Sequence, residues 1–345
     1  QVNLIGGQNN AGKTTLLEAI YLANNPQSRS IIFLKQNLRN EAADWEHPEN
    51  AWSSLFHQFK KDAEIRLFVE TEDVLFGARF TCIESYEKQK QVSLFDEIED
   101  LVKIKDVLAM ESRVTRSSII SHHYSQHHKG PESLMRLDAN LESKNFGIAG
   151  SLPAPLLYPN FVPAGFKSNP ATLAENFERL RFQGRDKVVL KGLQLIEPSI
   201  QQVEVFHFGE KRIHLKREGE DFMPITLFGD GLNKVADIIV RIASNSNSIL
   251  LIDEIENGVH YAHHHDLWKF VFKLATQFGV QIFAASHSYE MIRAFNQMAS
   301  AENLGPSAMY FEMYRSLRSG EIVGKGFAPD LLAYAIANNQ SFRGE

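Results

Sequence analysis

The stretch GGQNNAGKTTLLEAI, residues 6–20, constrains the fold more than any other part of the 345-residue chain. It fits the pattern G-x-x-x-x-G-K-[ST], with Gly7, Gly12, Lys13 and Thr14 at the four fixed places. Before it, residues 2–5 form a short apolar run interrupted at Asn3. After it, residues 14–22 place Leu16, Leu17, Ile20 and Tyr21 on one side of a helix. Strand, glycine turn and helix is the order a phosphate cradle needs. Glycines let backbone N–H groups turn inward toward an anion, and the helix N-terminus adds partial positive charge. Lys13 can reach β- and γ-phosphates, and the Thr14 hydroxyl can ligate Mg²⁺. A tight turn with a surface lysine is the plain alternative, but it does not call for these residue types in this order. The expectation is an α/β chain with a nucleotide site at the end of its first strand.

Three further stretches bear on that site. In SILLIDEIENGVH, residues 248–260, the run 249–252 reads as a fully buried parallel strand ending in Asp253 and Glu254. Two carboxylates at the carboxyl end of a core strand are costly unless something uses them. In a nucleotide site Asp253 would hold Mg²⁺, and Glu254 would orient or deprotonate the attacking water. In VQIFAASHSYEMI, residues 280–284 read as another buried strand, and its end brings Ser286, His287 and Ser288 to the same sheet edge. A histidine there can donate to a γ-phosphate oxygen or position water, or be an ordinary hydrogen-bonded histidine. In ITLFGDGLNKVADIIVRIA, Gly229 and Gly231 flank Asp230 ahead of a helix with Leu232, Val235, Ile238, Ile239 and Ile242 at helical spacing. This is a second helix start with an anion-binding look, and one phosphate group does not need two unless they come from different subunits.

Composition narrows the context. A formal net charge of −6 excludes a chain coated in positive charge, so any nucleic-acid contact would be a local patch. The single cysteine, Cys82, cannot form an internal disulfide and suits a reducing cytosol, hence a cytoplasmic expectation. No apolar run approaches the ~20 residues of a membrane span. Gln1 is not an initiator methionine and the first strand starts at once, so a leading strand is expected to be missing. Residues 65–69 and 78–83 read as two strands, and a short strand is expected in LPAPLLYPNFVPAG. Helices are expected at 173–182 and 187–195, and a hairpin at 203–208 with 211–216. From Tyr86 to about Met110 the composition shifts toward Lys, Glu, Gln and Asp with spaced Leu, Ile and Val, so residues 86–150 are taken as a mainly helical insertion.

The order phosphate loop, insertion, glycine-rich helix start, apolar-DE strand and apolar-SHS strand resembles the ABC-type ATPase heads of the SMC, RecF and overcoming-lysogenisation-defect (OLD) families. The wording FGDGLNKVADII…SILLIDEIENGVH…LWKFVFKLATQFGVQIFAASHS is most similar to stand-alone OLD-like, AAA-family ATP-binding proteins of bacteria. The similarity runs over nearly the whole chain, including VPAGFKSNPATLAENFERL and the tail beginning MYFEMYRSL. It implies a P-loop NTPase of ABC-head type over 1–345, with a mixed β-sheet core flanked by helices and 86–150 inserted within it. Gly7, Gly12, Lys13, Thr14 and Thr15 then match the Walker A loop, with Asn10 also counted as nucleotide-binding. Asp253 and Glu254 match Walker B and its catalytic glutamate, residues 257–260 the D-loop, and His287 the switch histidine. Lys13, Glu254 and His287 are the catalytic set, and Thr14 and Asp253 the metal pair. Residues 228–232 match the signature motif, so Gly229, Asp230 and Gly231 would reach a nucleotide on the other subunit of a dimer. The chain departs from the family there, with FGDGL in place of the serine-bearing LSGGQ.

The resemblance implies an ATP- and Mg²⁺-dependent switch that dimerises head to head and controls a partner, a nuclease or toxin in anti-phage defence. OLD-like nucleases carry a toprim domain after the head, but residues 288–345 lack the length and clustered acids for one, so effector chemistry is expected elsewhere. The alternative is a RecF/SMC-like DNA-handling ATPase, and the third reading is a P-loop small-molecule kinase. Two histidine pairs four apart, His123 with His127 and His260 with His264, have metal-ligand spacing, but HExxH is absent and interface or polar histidines are the ordinary reading. The basic run 211–218 reads as the exposed side of a hairpin.

Overall fold

A computed structural model describes residues 1–39, 41, 47–56, 60, 64–70, 75–88, 112–125, 133–140, 145–150, 159–165, 169–302, 304 and 307–338. Contacts divide the chain into two compact units, Gln1–Asn24 with Pro155–Glu345, and Asn25–Ala154. The first opens with β1 (Val2–Gly7) and α1 (Lys13–Asn24). The second carries α2 (Ser28–Phe33), β2 (Ile65–Glu70), β3 (Leu75–Lys88), β4 (Ser112–Ser125), β5 (Ser133–Asn140) and β6 (Asn145–Gly150). The chain then returns to the first unit with β7 (Pro159–Val162), α3 (Pro170–Phe182), α4 (Asp186–Ile196), β8 (Ile200–Phe208), β9 (Glu210–Arg217) and β10 (Met223–Pro224). It closes with α5 (Asp230–Ser244), β11 (Ile249–Ile252), α6 (His264–Phe278), β12 (Gln281–Ala285), α7 (Tyr289–Ala301), β13 (Ala308–Arg315), β14 (Ile322–Phe327) and α8 (Pro329–Ala337).

The first unit is built on a six-stranded mixed sheet in the order β14-β13-β1-β12-β11-β7, in which only β14 runs antiparallel to its neighbour. All four residues of β11 are buried, as expected of a parallel strand covered on both faces. Helices supply that cover: α1 contacts β1, β7, β11 and β12, while α5 contacts β7 and β11, and α7 contacts β1. The apolar residues of α5 recur every three or four positions, so Val235, Ile238, Ile239 and Ile242 are all buried. Trp268, Phe272 and Phe295 knit α6 to α7, with ring centroids 5.1 Å apart for Trp268 and Phe295 and 5.6 Å for Phe272 and Phe295. Local chemistry sets the helix ends. The Asn169 side chain accepts from the Ala171 and Thr172 N–H groups at 2.9 and 3.2 Å, and Ser288 Oγ accepts from Met291 N–H at 3.2 Å.

Because β1, β11 and β12 are parallel, their carboxyl ends emerge at one edge. Ile5 lies beside Ala285, and Ile252 beside Ala284. Backbone bonds carry this order past the strand ends, since Ser286 N–H donates to Ile5 O at 2.9 Å, Asp253 N–H to Val162 O at 2.8 Å and Ile255 N–H to Ala285 O at 3.1 Å. The expected strands at 2–5, 249–252 and 280–284 are thus found, as are the short strand before residue 163, the helices of 173–182 and 187–195, and the 203–216 hairpin.

The second unit differs from expectation. Its described part holds an antiparallel sheet in the order β2-β3-β4-β5-β6, and the unit, Asn25–Ala154, contains the 86–150 expected as an insertion. The strands expected at 65–69 and 78–83 belong to this sheet. Of residues 86–150, those described are strands and not helix; the helix read from Tyr86 to about Met110 lies, beyond Lys88, outside the described residues. The physical reason is a period of two. Met135, Leu137 and Ala139 are buried while Arg136 and Asp138 between them are partly exposed, which is a half-buried strand and no helix face. Trp52 closes this small core, its indole N–H donating to Ser117 O at 3.0 Å.

Candidate nucleotide site

The loop between β1 and α1 is glycine-rich for steric reasons that the structure makes explicit. A Cβ at Gly6 would lie 2.3 Å from Tyr310 Oη, and one at Gly7 would lie 2.0 Å from Met313 O, at a φ of +127°. The β13 backbone therefore presses directly on the loop, and only glycine admits it. Gly12 has φ +79° and Asn10 φ +61°, the latter in the left-handed region that asparagine tolerates. Lys13 folds over the loop and its Nζ donates to Gly7 O and Gln8 O, both at 2.8 Å. Leu16 N–H donates back to Gly12 O at 2.8 Å, starting the helix.

Across the sheet edge, Thr14 Oγ1 donates to Asp253 Oδ2 at 2.8 Å. This bond joins the phosphate loop to the acidic end of β11, 239 positions later. Burial pushes the Asp253 carboxyl above its ordinary range, outweighing the Thr14 hydrogen bond that favours its charged form. Burial likewise lowers Lys13, although Asp253, Glu256 and Glu254 all act to hold its charge. Desolvation wins on both sides, so a cation at Asp253 and a polyanion at Lys13 would each relieve a group that burial disfavours. A hydroxyl and a carboxylate oxygen within 2.8 Å of each other are hard donors of the kind Mg²⁺ takes.

Glu254 has φ +46°, a left-handed conformation that costs an L-residue about 1–2 kcal/mol. Its carboxylate is 4.0 Å from His287 Nδ1 through Oε1, and Oε2 accepts from Asn257 Nδ2 at 3.4 Å. His287 lies closer to Glu256: Nδ1 to Oε1 is 3.1 Å, and the His287 backbone N–H donates to the same oxygen at 2.9 Å. Glu256 is only 10% exposed at its side chain, and its Oε2 is buried without a hydrogen-bond partner among the described residues. One buried acid thus holds both the ring and the main chain of His287, while Glu254 stays half-exposed beside it. Lys13, Thr14, Asp253, Glu254 and His287 are brought together as their sequence positions suggested.

The glycine-rich start of α5 is placed differently. Gly229 has φ +92° with nothing within 4 Å of a would-be Cβ, and Gly231 packs on the turn after Glu254, where a Cβ would lie 2.0 Å from Gly258 O. Gly229, Asp230 and Gly231 therefore flank the acidic turn. Two contributors escaped the sequence reading. Glu256 was visible as the third acid of DEIEN. Lys234, one turn into α5, donates from Nζ to Asp253 O at 2.8 Å and Glu254 O at 2.5 Å, and burial lowers it despite the surrounding carboxylates. Nothing local marks that lysine.

Among the described residues no group of three or more His, Cys, Asp and Glu side chains is placed to hold a metal ion. His260 Nδ1 accepts from Ala262 N–H at 3.3 Å as a cap, whereas buried His264 places Nε2 3.1 Å from Val259 O. His127 lies outside the described residues, as does the side chain of His123. Among the described residues no helix is long and apolar enough to cross a membrane.

Comparison with known proteins adds to this geometry. The family profile described as "AAA domain, putative AbiEii toxin, Type IV TA system" matches residues 2–293. A Helicobacter pylori (strain ATCC 700392 / 26695) protein named ATP/GTP phosphatase is 20% identical over 356 residues, covering 100% of this chain and 94% of that protein. Among solved structures, the Smc head domain with an extended coiled coil bound to the C-terminal domain of ScpA, from Pyrococcus furiosus, aligns with 99% of this chain and 93% of its own at 9% identity and a TM-score of 0.44. The SMC head domain from Thermotoga maritima aligns with 95% of this chain and 90% of its own at 9% identity and a TM-score of 0.37.

Proposed function

We propose that this chain, which belongs to the family described as "AAA domain, putative AbiEii toxin, Type IV TA system", is an ATP-hydrolysing head of the ABC type and works as an ATP-gated switch in which two copies close on two nucleotides. The observation that carries this reading is the 2.8 Å bond from Thr14 to Asp253, with Glu254 and His287 at the same sheet edge. In this scheme the backbone N–H groups of residues 7–15, with Asn10 and Thr15 among them, and the Lys13 ammonium hold the phosphates. Thr14 and Asp253 would hold Mg²⁺, which when bound neutralises phosphate charge and orients the terminal group. Glu254 orients and deprotonates the attacking water, and Asn257 restrains its far oxygen. Glu256 accepts a hydrogen bond from His287 Nδ1–H, which leaves the Nε2 lone pair to accept from and position the attacking water. The N–H groups at the start of α5, at Gly229, Asp230 and Gly231, cap the nucleotide of the partner subunit. With no serine in FGDGL, that cap acts through main chain and helix end alone. The γ-phosphate then supplies the differential affinity for the closed pair, and its loss reopens it.

The test is the oligomeric state. Glu254→Gln is expected to bind ATP, fail to hydrolyse it and run as a stable dimer in size-exclusion chromatography with ATP and Mg²⁺, while wild type returns to monomer as ATP is spent. Identical profiles for the two proteins would overturn the switch.

We place residues 1–24 and 155–345 in the head and 25–154 in an insertion. For what the switch acts on, SMC/RecF-like handling of DNA stands first, because it follows from the kind of head this is. Control of a separate nuclease or toxin in phage defence stands second, supported by the toxin wording of the family description. Either way the protein is a cytoplasmic one in this reading, in keeping with a sequence that holds a single cysteine, Cys82.

A further inference from the structure

We propose that Lys234 is a positioning residue that ties the start of α5 to Glu254, so that capping the partner's nucleotide sets the water-activating carboxylate of this subunit. The inference rests on the reading of Glu254 as the residue that handles the attacking water.

Three observations converge on it. First, the Lys234 ammonium bridges two consecutive main-chain carbonyls, Asp253 O at 2.8 Å and Glu254 O at 2.5 Å. These are the carbonyl of the peptide that enters Glu254 and the carbonyl of the one that leaves it. Second, Glu254 sits at φ +46°, a conformation that persists only where its surroundings hold it. Asn257 N–H also donates to Glu254 O, at 2.9 Å, so lysine and turn grip the same oxygen. Third, the same helix touches the same turn again through the Gly231–Gly258 contact. Asn233, next to Lys234, donates from Nδ2 to Gly229 O at 2.8 Å and Ile225 O at 3.2 Å, locking the helix start to the residues behind it.

The seam is not packed solid. A cavity of about 220 Å³ opens along it, with Asp230, Asn233, Lys234, Asn257 and Gly258 among its walls. A shift of α5 therefore has room to occur, and Lys234 carries it to the backbone of Glu254. A lysine suits the task because three donors on one small ammonium can satisfy two adjacent carbonyls at once. The consequence is that each site senses the other: α5 engaged with the partner's nucleotide fixes Glu254 here, and the symmetric contact does the same across the dimer.

The experiment is steady-state ATP hydrolysis and nucleotide affinity for wild type, Lys234→Met, Lys234→Gln and Glu254→Gln. Lys234→Met is expected to keep ATP affinity within about 2-fold and to lose roughly 10- to 100-fold in kcat, the size of effect that slight misplacement of a catalytic group produces. Its Hill coefficient for ATP is expected to fall to about 1 while wild type stays above it. A purely structural lysine would lower the melting temperature and leave kcat per folded molecule and cooperativity alone. Wild-type kcat and cooperativity in folded Lys234→Met overturn the proposal. If that variant does not fold, Lys234→Gln, which keeps a donor and loses the charge, is judged by the same criterion. Hydrolysis that survives Glu254→Gln would instead remove the underlying reading of Glu254, so the two failures are distinct.

Discussion

Single side chains decide whether the phosphate loop exists at all. At Gly7 a β-carbon meets two independent objections, a φ of +127° and a carbonyl 2.0 Å away on β13. Gly209 raises only one, since its φ is +85° but nothing lies within 4 Å. Gly209→Ala is therefore expected to cost about 1–2 kcal/mol of stability, from conformation alone, and to leave hydrolysis intact. Gly7→Ala must displace the β13 backbone or the loop, and it is expected to abolish binding of a fluorescent ATP analogue. Thermal denaturation and nucleotide titration of both variants check the contrast; equal losses in the two would mean that the press of β13 on the loop is immaterial. At this scale residue type and spacing anticipated that Lys13, Thr14, Asp253, Glu254 and His287 would meet at one sheet edge. Glu256 stood in view as the third acid of DEIEN but was given no role, and Lys234 had no local mark, because such residues look like surface until the fold brings them against His287 and main chain.

Among the elements, α5 matters most beyond β1, β11 and β12. Its apolar stripe fixes its buried face, while its first turn has no side chain at Gly231 so that it can lie on Gly258. Gly231→Ala would put a β-carbon 2.0 Å from Gly258 O, forcing the helix start away from the acidic turn. The expected result is retained ATP binding, because the phosphate loop is untouched, with hydrolysis at least about 10-fold slower through the displaced cap and turn. Unchanged turnover would show that the contact is passive. Elements were legible in proportion to how strongly burial marks them. The four residues of β11 were found at their true limits because a strand buried on both faces is an unbroken apolar run. In the second unit, by contrast, strand faces carry buried serines such as Ser117, Ser118 and Ser121, and polarity there conceals the period of two. A composition rich in Lys and Glu just before β4 then argued for a mainly helical insertion, whereas those of its residues that are described form strands.

For the whole molecule, a net charge of −6 sets the terms on which DNA could be held. General attraction is absent, so binding must come from a local surface that the closed pair assembles. Glu254→Gln with ATP is accordingly expected to bind duplex DNA more tightly than the same protein without nucleotide, and to lose affinity steeply as salt rises from 50 to 200 mM, by roughly 10-fold or more. Fluorescence anisotropy at several salt concentrations measures this. Affinity that ignores ATP would favour control of a protein effector over DNA handling. The sheet order has a consequence of another sort. Val2 pairs with Ile282 on one side and Ala308 on the other, so β1 is flanked by two strands translated long after it. At ordinary rates of translation that strand waits on the order of tens of seconds for either neighbour, with both edges open, and the nascent chain must be sheltered for that interval before any nucleotide can find a place to bind.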